Sequence, residues 1–275
     1  MNNNRQAIGV FDSGYGGLSI LNEFLKELPE YDFIYLGDNA RSPYGTRSFD
    51  VVYDYTLQAV EQLFSMGCEL VILACNTASA KALRTIQQCD LPKINPNKRV
   101  LGVIRPSVEE IGLLTKSKHV GVFGTVGTVR SNSYPLEIKK LFPDIKVIQE
   151  ACPMWVPLVE NNEFHTEGGR YFIKKNIDSL LKREPEIDTI ILGCTHYPLL
   201  RNEIRKFLPD NIQLISQGEI VANSLKDYLV RHPEMDVRCS KNSEREFYTT
   251  EFVDSFEEKA SRFLNLSLRA RHISY

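Results

Sequence analysis

The chain has 275 residues, of which 43% are hydrophobic and 25% charged, a composition typical of a folded globular protein and unlike that of a disordered one. Its formal net charge of -2 supplies no broad positive field, so a nucleic-acid partner is not expected. Residues 1–9 lack the apolar stretch of a signal peptide, and no apolar run approaches the ~20 residues that span a bilayer. We therefore expect a cytoplasmic protein without membrane association.

The first half of the chain alternates short, β-rich apolar runs with segments of helical period. This alternation predicts the α/β class, with a largely parallel sheet covered by helices. Two prolines and two asparagines in Leu91–Arg99 interrupt the pattern, and we expect a crossing to a second domain there. The predicted elements are strands at Ala7–Phe11, Phe33–Leu36 and Leu70–Ala74 and helices at Leu18–Leu28, Val51–Met66 and Thr77–Gln88.

The second half repeats this design. After Pro209 we expect the chain to return to the first domain, which then comprises residues 1–98 and 210–275, while residues 99–209 form the second domain. The predicted elements are strands at His119–Phe123, Lys146–Gln149 and Thr189–Leu192 and helices at Ser133–Leu141, Gly169–Leu181, Leu199–Phe207, Gly218–Arg231 and Glu251–Leu266.

Two pairs of segments indicate an internal duplication. Ile8–Asp12 is similar to Val120–Gly124, and Val71–Thr77 is similar to Ile190–His196 in the same order. Apolar strands match by chance, but two ordered matches favour related halves. Cys75 and Cys194 then occupy equivalent positions just beyond a strand's carboxyl end, which is where α/β sheets bind ligands.

Both cysteines stand where a helix is expected to begin. Unpaired N–H groups and the helix dipole at such a position stabilise a thiolate and lower its pKa from the usual ~8.5. The six cysteines show no C-x-x-C pair and no zinc-finger spacing, so we expect free thiols and no metal site. The alternative is that Cys75 and Cys194 are only small buried hydrophobic residues.

Two further turns favour anion binding. Asp12–Gly17 is a glycine-rich turn between a strand and a helix, and such turns present backbone N–H groups to anions. Gly124–Thr128 offers hydroxyls at the equivalent place. Neither has the spacing of a nucleotide-binding loop, and both are also compatible with simple tight turns.

The motifs together resemble the glutamate racemase family. The resemblance extends from Ile8 to about Leu264, and its cysteine motifs are the most specific part. The matching blocks are Phe11-Asp12-Ser13-Gly14, Tyr35-Leu36-Gly37-Asp38, Pro43-Tyr44-Gly45, Ala74-Cys75-Asn76-Thr77-Ala78-Ser79-Ala80 and Leu192-Gly193-Cys194-Thr195-His196-Tyr197-Pro198-Leu199-Leu200.

This resemblance implies two pseudo-symmetric α/β domains with glutamate held in the cleft between them, no pyridoxal phosphate or other cofactor, and a homodimer. It implies that Cys75 and Cys194 are the acid/base pair, with Asp12 assisting the first, His196 the second, and Glu160 as a further helper, although Glu150 and Glu163 lie nearby. The implied substrate-binding residues are Asp12, Ser13, Pro43, Tyr44, Gly45, Cys75, Asn76, Thr77, Thr125, Thr128, Thr195 and His196.

The chemistry of inversion agrees with a pair of thiols. The α-carbon must lose its proton to a base on one face, which leaves a planar carbanion, and this carbanion must gain a proton from an acid on the other face. Without an electron-sink cofactor, preorganised donors in a closed cleft must stabilise the carbanion. The expected reaction is therefore cofactor-independent interconversion of L- and D-glutamate, which by the resemblance supplies D-glutamate for peptidoglycan.

Two other functions remain open. The first is racemisation of aspartate or a related amino acid with a shorter side chain. The second is non-catalytic binding of an amino acid by an α/β protein, against which the retention of both cysteines argues. Two positions also depart from the family pattern: Arg105 stands where an acidic residue is usual, and Asn39 stands where a threonine is commoner.

Overall fold

The computed structural model describes residues 6–264 and 267–275. In these residues the strands form two sheets in which every pair is parallel: one with the order β10-β9-β2-β1-β3-β4 and one with the order β6-β5-β7-β8. The predicted α/β class with parallel sheets is confirmed. The strands are β1 Ile8–Asp12, β2 Phe33–Gly37, β3 Leu70–Leu73, β4 Arg99–Gly102, β5 His119–Gly124, β6 Lys146–Ala151, β7 Thr189–Gly193, β8 Gln213–Ile215, β9 Arg245–Thr249 and β10 Ala270–His272.

Helices connect the strands and cover both faces of each sheet. Several begin at a side chain that accepts a backbone N–H of the first turn, as Ser48, Thr125 and Thr166 do. The α-helices are α1 Leu18–Glu27, α2 Phe49–Ser65, α3 Asn76–Lys81, α4 Leu83–Thr85, α5 Leu91–Ile94, α6 Ile104–Leu114, α7 Val126–Ser131, α8 Ser133–Leu141, α9 Trp155–Glu160, α10 Glu167–Arg183, α11 Arg201–Arg205, α12 Gly218–Arg231, α13 Pro233–Asp236 and α14 Val253–Leu264. Asn39–Arg41, Tyr44–Thr46 and Tyr197–Leu200 are 3₁₀ turns, and Ile86–Asp90 is π-helical.

The apolar strands are long uninterrupted runs because both faces of each sheet are buried. Successive residues of β1 point to opposite sides, so Val10 packs with α1 and α12 while Phe11 packs with α2. In the second sheet, Phe123 packs with α10 and Val122 with α6 and α8. This two-sided packing fixes where the carboxyl ends of the central strands lie.

The prediction that the segment Leu91–Arg99 interrupts the helical pattern is wrong for its first part. Leu91–Ile94 forms α5, because Pro92 lies in the first helical turn, where no N–H is needed. Arg99–Gly102 then pairs with β3 in the first sheet, and Gln213–Ile215 pairs with β7 in the second. Each sheet thus includes a few residues beyond the predicted crossings at 99 and 210, and the domain division itself stays a prediction.

The C-terminal part differs from the prediction in two ways. Strands β9 and β10 extend the first sheet, although their mixed polar sequences gave no strand signal. The predicted helix Glu251–Leu266 begins at Val253, and its last two residues, Asn265 and Leu266, lie outside the described residues. Across residues 6–264 and 267–275, no helix combines the length and the apolar character needed to cross a bilayer.

Candidate active site

A cavity of about 110 Å³ lies where the carboxyl ends of β1, β3, β5 and β7 approach one another. Both Cys75 and Cys194 line it, and each side chain is buried. The structure therefore brings the two thiols to one small cavity. Its lining consists of Ser13, Ser42, Pro43, Tyr44, Gly45, Thr46, Cys75, Asn76, Thr77, Thr125, Val126, Cys152, Pro153, Val156, Pro157, Cys194, Thr195 and His196.

Cys75 lies between the end of β3 and the first turn of α3. Its Sγ accepts the Ala78 N–H at 3.4 Å and lies 3.4 Å from the Ser13 Oγ. The expected lowering of its pKa is wrong. Desolvation by burial, followed by the charge of Asp12, raises the pKa of Cys75 to about 12, and the hydrogen bonds from Ser13 and Ala78 do not offset them.

Asp12 is buried and is not among the residues that line the cavity. The Gly14 N–H donates to Asp12 Oδ1 at 2.8 Å, and the Thr195 hydroxyl donates to Oδ2 at 3.3 Å. Burial raises the pKa of this carboxyl, although the charge of His196 acts in the opposite direction. Asp12 thus joins the turn after β1 to the turn after β7 and acts on Cys75 through its charge.

Cys194 has a different set of neighbours. The Nδ1 of His196 lies 3.9 Å from Cys194 Sγ, and its Nε2 lies 3.0 Å from Glu160 Oε1. Burial alone lowers the pKa of His196, but the hydrogen bonds with Cys194 and Glu160 outweigh it and raise that pKa to about 10. The structure thus brings Glu160 to His196, whereas Glu150 contacts Asn176, Ser179 and Arg183 instead.

Three threonines form a buried cluster at the wall of the cavity. The Oγ1 atoms of Thr77 and Thr125 lie 2.9 Å apart, and Thr128 Oγ1 lies 3.1 Å from that of Thr125. Thr77 and Thr125 line the cavity, but Thr128 lies behind them and is fully buried. Thr125 also begins α7, so backbone N–H groups of that helix point toward the same wall.

The Pro43–Thr46 segment closes another side. Pro43, Tyr44, Gly45 and Thr46 all line the cavity, and the Tyr44 hydroxyl donates to the Asp38 carboxylate. No lysine or arginine is among the described lining residues, and the same part of the chain holds no group of three or more His, Cys, Asp or Glu side chains placed to bind a metal.

Several lining residues were not predicted. Cys152, Pro153, Val156 and Pro157 enter from the turn after β6 and the start of α9. Their topological position was a usable signal, because β6 lies beside β5 in a parallel sheet and its carboxyl end reaches the same edge. Arg105, which departs from the family pattern, lies elsewhere and pairs with Glu109 at 2.7 Å.

Solved structures that share this fold include several racemases. A glutamate racemase isoform from Bacillus anthracis is 36% identical with a TM-score of 0.89, over 99% of this chain and 98% of that one. Glutamate racemase from Francisella tularensis in complex with D-glutamate is 32% identical with a TM-score of 0.87, over 98% of each chain. Among the relatives compared by sequence, glutamate racemase from Geobacter metallireducens is 38% identical over 260 residues, which cover 94% of this chain and 93% of that protein.

The fold and the cavity that holds Cys75 and Cys194 therefore define an isomerase of the racemase class. The model of the Asp/Glu/Hydantoin racemase family matches residues 16–225. With this match and relatives above 30% identity over nearly the whole length, the chain belongs to that family.

Proposed function

We propose that the protein interconverts L- and D-glutamate without a cofactor, using Cys75 and Cys194 as the two acid/base groups. The observation that carries this proposal is that both thiols line one small cavity of about 110 Å³. The D-glutamate complex of the Francisella tularensis relative supports the choice of substrate.

The reaction needs one thiolate and one thiol. The thiolate of one cysteine removes the α-proton and becomes a thiol, and the electron pair stays on the α-carbon as a planar carbanion. The thiol of the other cysteine gives its proton to the opposite face and becomes a thiolate. The enzyme then holds the mirror arrangement of protons and accepts the other enantiomer.

Donors around the cavity stabilise the carbanion as charge moves onto the substrate carboxylate. The hydroxyls of Ser13, Thr77 and Thr125 and the Asn76 amide supply such donors, and the first turns of α3 and α7 add backbone N–H groups. Because the lining is largely buried, little water competes with these donors.

The two helper systems have different roles in this proposal. Asp12 carries a negative charge that raises the pKa of Cys75, which makes the Cys75 thiolate a strong base once it forms. The His196 ring lies within hydrogen-bonding distance of Cys194 Sγ, and Glu160 orients that ring. Thr128 supports Thr125 from behind instead of touching the substrate.

The test is to incubate purified protein, free of pyridoxal phosphate, with L-glutamate and to separate the enantiomers by chiral chromatography. We expect an approach to equal amounts of L- and D-glutamate, and in deuterated water we expect deuterium at the α-carbon of the product. Aspartate serves as the matched substrate with a shorter side chain. Racemisation of aspartate but not glutamate would contradict the proposal.

We further infer that the protein supplies D-glutamate for peptidoglycan in the cytoplasm and acts as a homodimer. The family supports the metabolic role. Depletion of the protein in its host should produce cells that need external D-glutamate, and sedimentation should give a mass near twice the 31.4 kDa of one chain. Normal growth after complete depletion, or a monomer at working concentration, would contradict these two points.

A further inference from the structure

Asn76, Tyr134 and Gln217 form a closed ring of buried hydrogen bonds next to the cavity. Asn76 Nδ2 donates to Gln217 Oε1 at 2.7 Å, Gln217 Nε2 donates to the Tyr134 hydroxyl at 2.9 Å, and that hydroxyl donates to Asn76 Oδ1 at 2.7 Å. At most 2% of each residue is exposed. Each group therefore donates to the next around the ring.

Gln217 also holds the two connections that join the sheets. It lies between β8 of the second sheet and α12, which leads back to the first. Its Nε2 is 2.7 Å from Ser107 Oγ and 3.2 Å from the Val103 carbonyl, in the connection from β4 to β5. One side chain thus contacts both places where the chain passes from one sheet to the other.

The ring fixes the orientation of the Asn76 amide. If that amide were turned over, its oxygen would face Gln217 Oε1 and two acceptors would meet in a buried place. The observed orientation commits one Nδ2 hydrogen to Gln217 and leaves the second hydrogen available. Asn76 lines the cavity directly after Cys75, so this second hydrogen is a donor beside the reacting centre.

We propose that Gln217 is a positioning residue that, together with Tyr134, holds the Asn76 amide so that its remaining N–H donates to a carboxylate of the bound amino acid. Gln217 itself touches neither the cavity nor the reacting atoms. This inference rests on the proposed glutamate racemisation, because it assigns a donor for that substrate. It also links the orientation of the Asn76 amide to the two connections between the sheets, because Gln217 contacts all three.

The experiment is a double-mutant cycle between Gln217 and Asn76, read as kcat/KM for L-glutamate. If Gln217 acts through Asn76, Gln217→Leu lowers kcat/KM by about 10-fold in the wild-type background and by less than about 2-fold in an Asn76→Ala background. If the double variant instead loses kcat/KM by the product of the two single losses, Gln217 acts independently of Asn76 and the proposal is overturned.

Two matched variants separate positioning from simple loss of folding. Tyr134→Phe keeps the packing and removes one hydroxyl of the ring, and we expect a loss of about 3- to 10-fold that also disappears in the Asn76→Ala background. Ser107→Ala removes a Gln217 partner outside the ring and should leave kcat/KM within about 2-fold. If Ser107→Ala and Tyr134→Phe lose activity equally, the ring has no special role.

The outcomes also separate this inference from the proposed function. An inactive wild-type protein overturns glutamate racemisation and the role of Gln217 with it. An active wild-type protein whose Gln217→Leu and Tyr134→Phe variants keep full kcat/KM leaves the racemase intact and overturns only the positioning role. Far-UV circular dichroism and thermal unfolding of each variant establish that the comparison is made between folded proteins.

Discussion

The two cysteines occupy the same position in the two sheets but have different surroundings. Cys75 follows β3 and Cys194 follows β7, and each is 6% exposed. Around Cys75 lie a hydroxyl, a backbone N–H and the charge of Asp12. Next to Cys194 lies an imidazole that is held in turn by a carboxylate.

This difference shows that topology and protonation are set by separate parts of the sequence. The apolar strands and their parallel pairing bring both sulfurs to one sheet edge. The residues next to each sulfur then decide which charge it meets, since His196 is two positions after Cys194 while the equivalent position after Cys75 holds Thr77. Four predictions test the comparison, beginning with the largest expected effect.

Removal of either thiol should abolish inversion. We expect Cys75→Ala and Cys194→Ala each to lower kcat for racemisation by on the order of 10³-fold or more, because inversion needs a proton donor and a proton acceptor on opposite faces. The matched control is Cys89→Ala, since Cys89 is an exposed thiol. Turnover near the wild-type rate in either active-site variant would contradict the two-thiol mechanism.

The next largest effect concerns His196, which lies next to Cys194 and has no counterpart next to Cys75. His196→Asn should lower kcat/KM by about 10²-fold. Because the equilibrium constant between enantiomers is one, the loss must be the same factor starting from L- or D-glutamate. A loss of less than 2-fold would show that the imidazole next to Cys194 is dispensable.

Gly16 lies against the Cys194-Thr195-His196 segment, and this contact should tolerate no added methyl group at Gly16. A Cβ there would lie 2.3 Å from Thr195 Oγ1 and 2.5 Å from His196 Nδ1. We expect Gly16→Ala to lower kcat/KM by about 10- to 100-fold through displacement of the Cys194 side. Gly168→Ala is the control, because a Cβ there meets only Thr166 Oγ1 at 3.9 Å, and its activity should be unchanged.

The smallest effect is on stability as pH changes. The pKa of His196 is raised from 6.5 to about 10, so between these values the folded protein holds a proton that the unfolded chain has lost. The contribution of His196 is therefore complete below pH 6.5 and is lost as pH rises to 10. Urea unfolding at pH 6, 8 and 10 should show a steeper decline for wild type than for His196→Asn, and parallel declines would contradict the raised pKa.

Much of the fold followed from local pattern, and the exceptions have physical causes. Runs such as Ile8–Phe11 and Leu70–Ala74 predicted buried strands because both faces of their sheet are covered. The short strands β9 and β10 are mixed in polarity, and their sequences carried no periodic signal; only β10 lies at the edge of the sheet. Helix α6 was not predicted, and Pro106 lies in its first turn, where a missing N–H breaks no helical hydrogen bond.

The candidate site was predictable where it depended on strand ends and was not where it depended on contacts distant in sequence. Cys75, Cys194 and most of the named donors line one cavity, and their roles stay predictions. The pKa of Cys75 depends on burial by the assembled halves, which no local pattern contains. Gln217 reaches Asn76 from 141 positions away, so no spacing rule could have paired them.

The most direct measurement follows α-proton exchange in deuterated water by NMR. It uses the Cys75→Ala and Cys194→Ala variants, each starting from each pure enantiomer. With one thiol left on one face, each variant should slowly exchange the α-proton of a single enantiomer without inverting it. Two thiols on opposite faces require that Cys75→Ala and Cys194→Ala exchange opposite enantiomers. Exchange of the same enantiomer by both variants would place the two sulfurs on one face and contradict the mechanism.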